Sequence, residues 1–188
     1  MRRVLAVLGA LLLTGAAPAN APDGPGPRMF ERMKTLTGEW EGTYEWSQGR
    51  TGGGALRVSY FLTGAGSALV ESLLQGGVTT MTTVYHLDGN DLRMTHYCAA
   101  RNQPRLKAVR FDEAQSSAEF TLVDVTGVGP KNPGHVEAFF VEVLDADRLH
   151  LRFTFGGGPG RGGVENIQVR RIRPAPGGTV SGSRPASP

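Results

Sequence analysis

His86-Leu87-Asp88-Gly89-Asn90-Asp91-Leu92 carries the strongest hairpin chemistry in the chain. Gly89 and Asn90 tolerate the positive φ that tight turns demand, and the residues on either side alternate in polarity. With Leu87 opposite Leu92, the register pairs Tyr85 with Met94 and Thr83 with His96, and sets Met81 near Cys98. One face of the hairpin is then Met81, Thr83, Tyr85, Leu87, Leu92, Met94, His96 and Cys98. Thr82, Val84, His86, Arg93, Thr95 and Tyr97 take the other. The first set is the more apolar and is expected to face an interior.

Period-two alternation extends from this hairpin in both directions, broken by glycine or Asp/Asn turns. It predicts about ten strands, near residues 39–47, 54–62, 68–74, 78–87, 91–98, 105–111, 117–124, 135–144, 148–155 and 164–172. Short, evenly spaced strands form a meander, and closing it removes the edges that an open sheet of that size would expose. The expected fold is all-β, an up-and-down antiparallel barrel, with an eight-stranded barrel or a sandwich as the structural alternative. Only Arg28 to Thr37 reads as helical, with Met29, Phe30, Met33 and Leu36 at helix spacing before Gly38.

Parity assigns the other inward faces. Trp40, Gly42, Tyr44 and Trp46 share one side of the first strand, with Glu39, Glu41, Thr43 and Glu45 on the solvent side. Leu56, Val58, Tyr60 and Leu62 continue the interior, as do Ala118, Phe120 and Leu122. Phe139, Val141 and Val143 then lie opposite Leu149, Leu151 and Phe153 across an Asp145-Ala146-Asp147 turn. Arg171 shares parity with Ile167 and Val169, where its cation can stack on Trp40. The same parity separates His86 from His96, leaves His135 in a Gly-rich turn and turns His150 outward, so no histidine cluster for a metal is expected.

The chain starts Met1-Arg2-Arg3, runs through the apolar stretch Val4 to Leu13 and reaches Ala17-Pro18-Ala19. This reads as a secretory signal peptide over residues 1–19, since the apolar run is about half the ~20 residues of a spanning helix. A linker is expected at 20–27, one domain at 28–173, and a Pro/Gly/Ser-rich tail at 174–188. The mature protein is expected to be periplasmic or secreted, with no transmembrane segment. Losing Arg2 and Arg3 leaves 18 of the 20 Lys/Arg against 17 Asp/Glu, and no basic block remains for nucleic acid. The single cysteine excludes an intrachain disulfide.

Three groups of residues bear on chemistry. Cys98 and His96 share a face, but a nucleophilic thiol needs a depressed pKa and an oriented base, and the sequence supplies no orienting carboxylate. The bland alternative is a buried free thiol beside a hydrogen-bonded histidine. Asn102, Gln103 and Arg105, around Pro104, either cap a barrel mouth, with Arg105 as partner for a ligand carboxylate or phosphate, or satisfy their own loop backbone. Glu71, between Leu69 and Leu73, is either an inward acid or, more conventionally, an exposed one. The runs Gly52–Gly54 and Gly156–Gly163 lack the Gly-Lys-Ser/Thr ending of a phosphate loop and read as hairpin connections that flank a cavity mouth.

Gly38-Glu39-Trp40 after a short helix, with a meander ending in an arginine, is similar to the Gly-x-Trp signature and closing arginine of lipocalins and their calycin relatives. The longer pattern Leu36-Thr37-Gly38-Glu39-Trp40-Glu41-Gly42 looks more like the fatty-acid-binding and nitrobindin-type branch. Residues 84–105 resemble a group of secreted bacterial proteins of unknown function with that presumed fold, and the resemblance covers most of residues 30–172. It implies a cavity for a small apolar or amphipathic ligand. Its expected walls are Trp46, Tyr60, Tyr85, Met94, His96 and Cys98, with Arg105 at the rim. No cofactor is expected on this reading. The alternatives are haem held through His96 or His150, as nitrobindin-type proteins use a late-strand histidine, and a filled barrel serving as a structural or partner-binding module. No catalytic residue is assigned.

Overall fold

The computed structural model describes residues 24–158 and 162–172. A helix, α1 (Pro25–Lys34), precedes ten strands: β1 (Gly38–Ser47), β2 (Gly53–Thr63), β3 (Ala68–Gln75), β4 (Val78–Asp88), β5 (Asp91–Tyr97), β6 (Gln103–Asp112), β7 (Ser117–Thr126), β8 (His135–Val143), β9 (Arg148–Gly156) and β10 (Gly163–Arg171). Each strand pairs antiparallel with its sequence neighbours, and β1 pairs with β10, so the meander closes into a barrel. The β4–β5 hairpin has the expected register, with Leu87 opposite Leu92, Tyr85 opposite Met94 and Thr83 opposite His96. Of its two turn residues only Gly89 adopts positive φ, at 58°.

The helix begins three residues earlier than its periodicity predicts and stops at Lys34. Proline at the first helical position gives up no hydrogen bond, because that N–H would be unpaired anyway, so Pro25-Gly26-Pro27 forms the first turn rather than linker. The expected signal peptide and tail lie outside the described residues. No described helix is long and apolar enough to cross a membrane.

The helix packs on β4, β5 and β6 and closes one end of the barrel with Met29, Phe30 and Met33. Trp40 is fully buried beneath it and donates its indole N–H to the Leu36 carbonyl at 2.8 Å. Arg171 stacks on Trp40 with its guanidinium carbon 4.2 Å from the ring centroid. It also donates to the carbonyls of Thr37 (2.7 Å), Thr35 (2.8 Å) and Ala146 (2.9 Å). The last strand is thereby fastened to the segment that follows the helix.

Three phenylalanines pack together inside the barrel. Phe139 lies 5.6 Å from Phe120 and 4.6 Å from Phe153 between ring centroids, and all three are buried. Leu62 departs from the expected interior and is 41% exposed. Strand β1 starts at Gly38, opposite Tyr60, so Leu62 extends past the rim with a strand on one side only.

Candidate functional site

Two polar features break the apolar interior. The first centres on Glu71, which is fully buried because it shares the inward face of β3 with Leu69 and Leu73. Strand pairing sets Tyr60 on one side of it and Thr83 on the other. The Tyr60 hydroxyl donates to Glu71 Oε2 at 2.6 Å, the Tyr85 hydroxyl to the same oxygen at 2.9 Å, and Thr83 to Oε1 at 3.2 Å. Burial pushes the Glu71 carboxyl up, and these three hydrogen bonds pull against that rise. Burial and the adjacent carboxylate hold both tyrosines well above the usual phenol range.

Thr83 Oγ1 is also 2.9 Å from Nδ1 of His96. A threonine has one hydroxyl hydrogen, so when it goes to Glu71, His96 donates from Nδ1 and keeps a bare lone pair on Nε2. That Nε2 is buried without a hydrogen-bond partner. Burial lowers the imidazole pKa to about 4, and the ring lies 5.0 Å from that of Phe153.

The second feature is a pocket of about 240 Å³ at the end opposite α1. Tyr44, Trp46, Met81 and Phe155 line it with aromatic and apolar surface, and Arg50, Cys98 and Glu165 add ionisable groups. The Trp46 and Phe155 rings meet at 5.1 Å, and the Arg50 guanidinium lies over both, at 4.5 and 4.8 Å. Glu165 is only 1% exposed, and its Oε2 has no hydrogen-bond partner. Burial raises its pKa to about 7 against the opposing pull of Arg50. The connections around this mouth are tied to each other: Asn102 Nδ2 donates to the Gly134 carbonyl at 2.7 Å, and Asn132 Nδ2 donates to the Ala100 carbonyl.

Cys98 sits in the pocket wall and accepts the Ala100 N–H at 3.4 Å. Burial nevertheless pushes its thiol up, which keeps it protonated and a poor nucleophile. His96 spends its Nδ1 on Thr83 rather than on the thiol, so the two do not form a nucleophile and base pair.

The residues read from sequence as one cavity wall thus separate into four places. Trp46 and Cys98 line the mouth pocket. Tyr60, Tyr85 and His96 belong to the buried network. Met94 is core, at 1% exposure. Arg105 is exposed on the outer wall, where it grips Asp124 at 2.5 and 2.7 Å instead of presenting itself to a ligand. Asn102 does serve the mouth, but by bracing Gly134 rather than its own loop. The connection at Gly156–Gly163 is described except for residues 159–161.

Sequence reasoning missed Arg50 and Glu165 and preferred the wrong face for Glu71. Parity was available for both acids, since Glu71 alternates with Leu69 and Leu73, and Glu165 with Ile167 and Val169. Arg50 lies in a turn, where no periodicity operates.

The two histidines that could hold a haem iron, His96 and His150, lie on different faces of the barrel wall. His150 projects outward, with Nδ1 3.5 Å from Glu142 and its ring edge-on to Phe140 at 5.7 Å. His96 stacks on Phe153 beneath the pocket and is not part of its wall. Neither histidine lines the mouth pocket.

Two other concavities carry less chemistry. A groove of about 680 Å³ runs along the outer face of β1, β2 and β3, where Arg170 is already engaged by Glu41 at 2.5 Å. A cleft of about 200 Å³ lies between α1 and the β6–β7 turn, beside the Arg28–Glu113 pair.

No protein-family model matches the chain, and no curated protein does. Solved structures do. One is a protein of unknown function from the DUF3598 family of Nostoc punctiforme, with a TM-score of 0.52 and 14% identity. The match covers 74% of this chain and 48% of that one, so the chain spans about half its length. Another is Rv2717c from M. tuberculosis, with a TM-score of 0.55 and 14% identity over 77% of this chain and 98% of that one. At this identity the likeness concerns the fold.

Proposed function

We propose that the chain binds a small amphipathic molecule at the open mouth of its barrel, in the calycin manner but at shallow depth. The observation that carries this reading is the aromatic pocket of about 240 Å³ formed by Trp46, Phe155 and Met81 at the end the helix leaves uncovered. Apolar cavities of about 150 Å³ accept benzene, so this one suits a molecule of one or two rings. The Phe120, Phe139 and Phe153 layer forms a floor beneath it and holds the ligand near the rim.

That same packed layer favours a second reading, a filled barrel that acts as a structural or partner-binding module. Native mass spectrometry of gently purified protein separates the two. A co-purifying small molecule lost from Trp46→Ala supports the pocket; a ligand-free chain that also fails to bind any of a set of one- and two-ring aromatics favours the module. We further propose that the protein works outside the cytoplasm, a reading supported by the leader-like composition of residues 1–19. N-terminal sequencing of the exported chain should begin near Asn20, and an intact Met1 terminus would contradict it.

A further inference from the structure

We infer that Glu165 selects the ligand's polar end: the molecule bound at the mouth carries a neutral O–H or N–H donor that bonds Glu165 Oε2 while its rings lie on Trp46, Phe155 and Met81. This deepens the pocket reading and rests on it.

Glu165 Oε2 has no hydrogen-bond partner among the described residues. Native proteins seldom bury a carboxylate oxygen without a partner, because water's hydrogen bonds are lost and nothing replaces them. Glu71, in the same barrel, shows the usual solution, with donors on both of its oxygens. Glu165 is 1% exposed and belongs to the pocket wall, yet its Oε2 has none, and above pH 7, where the carboxyl is ionised, that oxygen is an acceptor without a donor. A group arriving in the pocket is therefore placed to supply the missing donor.

The surroundings narrow the donor's charge. Arg50 and Glu165 line the same pocket with opposite charges that offset, so a ligand cation drawn to Glu165 is repelled by Arg50. A ligand carboxylate would meet Glu165 itself. A neutral donor on an aromatic or alicyclic frame avoids both penalties: a phenol, an alcohol, an amide or an indole-type N–H. Specificity built on such a bond is large, because an analogue that lacks the donor leaves the buried acceptor unpaired.

The test compares indole with 1-methylindole by calorimetry at pH 8. The pair shares a two-ring frame, but only the first has a donor. The wild-type chain should bind indole about tenfold or more tightly than the methylated form, as expected for a hydrogen bond to a charged acceptor. Glu165→Gln should cut that ratio severalfold, and Glu165→Leu should bring it near one while still binding 1-methylindole. Equal binding of both molecules by the wild-type chain would overturn the role of Glu165 and leave the pocket standing. Failure of the wild-type chain to bind either would overturn both readings. The wild-type comparison needs no variant, so misfolding of a mutant cannot mask the outcome.

Discussion

Replacing Glu165 with glutamine should change the pH dependence of folding in a way that can be worked out beforehand. The carboxyl has a pKa of about 7 in the folded chain against an ordinary 4.5, because burial penalises its charge more than Arg50 relieves it. The folded chain therefore binds this proton more tightly than the unfolded chain. Its contribution is full below about pH 4.5 and is lost as pH rises through 7, to a limit of about 3 kcal/mol. His96 works in the opposite direction. Its pKa of about 4 lies below the ordinary 6.5, so its contribution is full above 6.5 and is lost as pH falls through 4, by a similar amount. Between pH 4.5 and 6.5 the slopes of Glu165 and His96 oppose each other. Glu165→Gln removes the first slope only. Glu71 titrates in the same sense as Glu165 but is common to both proteins, so it cancels in their difference. Urea denaturation from pH 4 to 9 should show the variant gaining about 2.5 kcal/mol on the wild type between pH 5 and 8, because any cost of the amide's own buried donors is the same at both. A stability difference that is the same at pH 5 and pH 8 would refute the assignment of Glu165 as the buried, proton-retaining acid.

Three further outcomes follow from the packing. Arg171→Ala should cost about 2–4 kcal/mol, since it removes three hydrogen bonds from a cation and its stacking on Trp40, and Arg171→Lys should recover less than half; thermal unfolding measures both. Tyr60→Phe and Tyr85→Phe should each cost about 1–3 kcal/mol, and the double variant less than their sum, because both hydroxyls serve the same Glu71 oxygen; denaturant midpoints of a double-mutant cycle test this. Gly42→Ala should cost about 3 kcal/mol or more, or abolish soluble protein, because a Cβ there would lie 1.9 Å from the backbone oxygen of Gln168; expression yield and melting temperature report it.

The fold was largely legible because one hairpin register propagates around a closed meander. Once Leu87 was set against Leu92, alternation assigned most inward residues, and the closing pair of Trp40 and Arg171 followed from parity at the two chain ends. The site was less legible. Parity points Glu71 and Glu165 inward, but hydropathy argues against burying a carboxylate, and only the tertiary donors Tyr60, Tyr85 and Thr83 show why Glu71 is tolerated. Arg105 resembled a ligand-binding cation until its cross-strand neighbour Asp124 was known. Arg50 had no signal at all, since a turn residue reaches its aromatic platform through three-dimensional proximity alone. The bulge between Leu73 and Leu74 likewise arises from strand pairing that no local pattern announces.

The two tryptophans stand at opposite ends of the barrel, Trp40 beneath the helix and Trp46 in the mouth, and their indole N–H groups are natural reporters of where a ligand sits. Titrating nitrogen-15-labelled protein with indole, with the signals assigned through Trp46→Phe, is therefore the most direct test of binding at the mouth. The Trp46 indole resonance and the amides of Ala99, Ala100 and Gly134 should shift together and saturate, while the Trp40 indole stays in place. Movement of the Trp40 signal without Trp46, or no saturable shift in either, would contradict a ligand site at the open mouth.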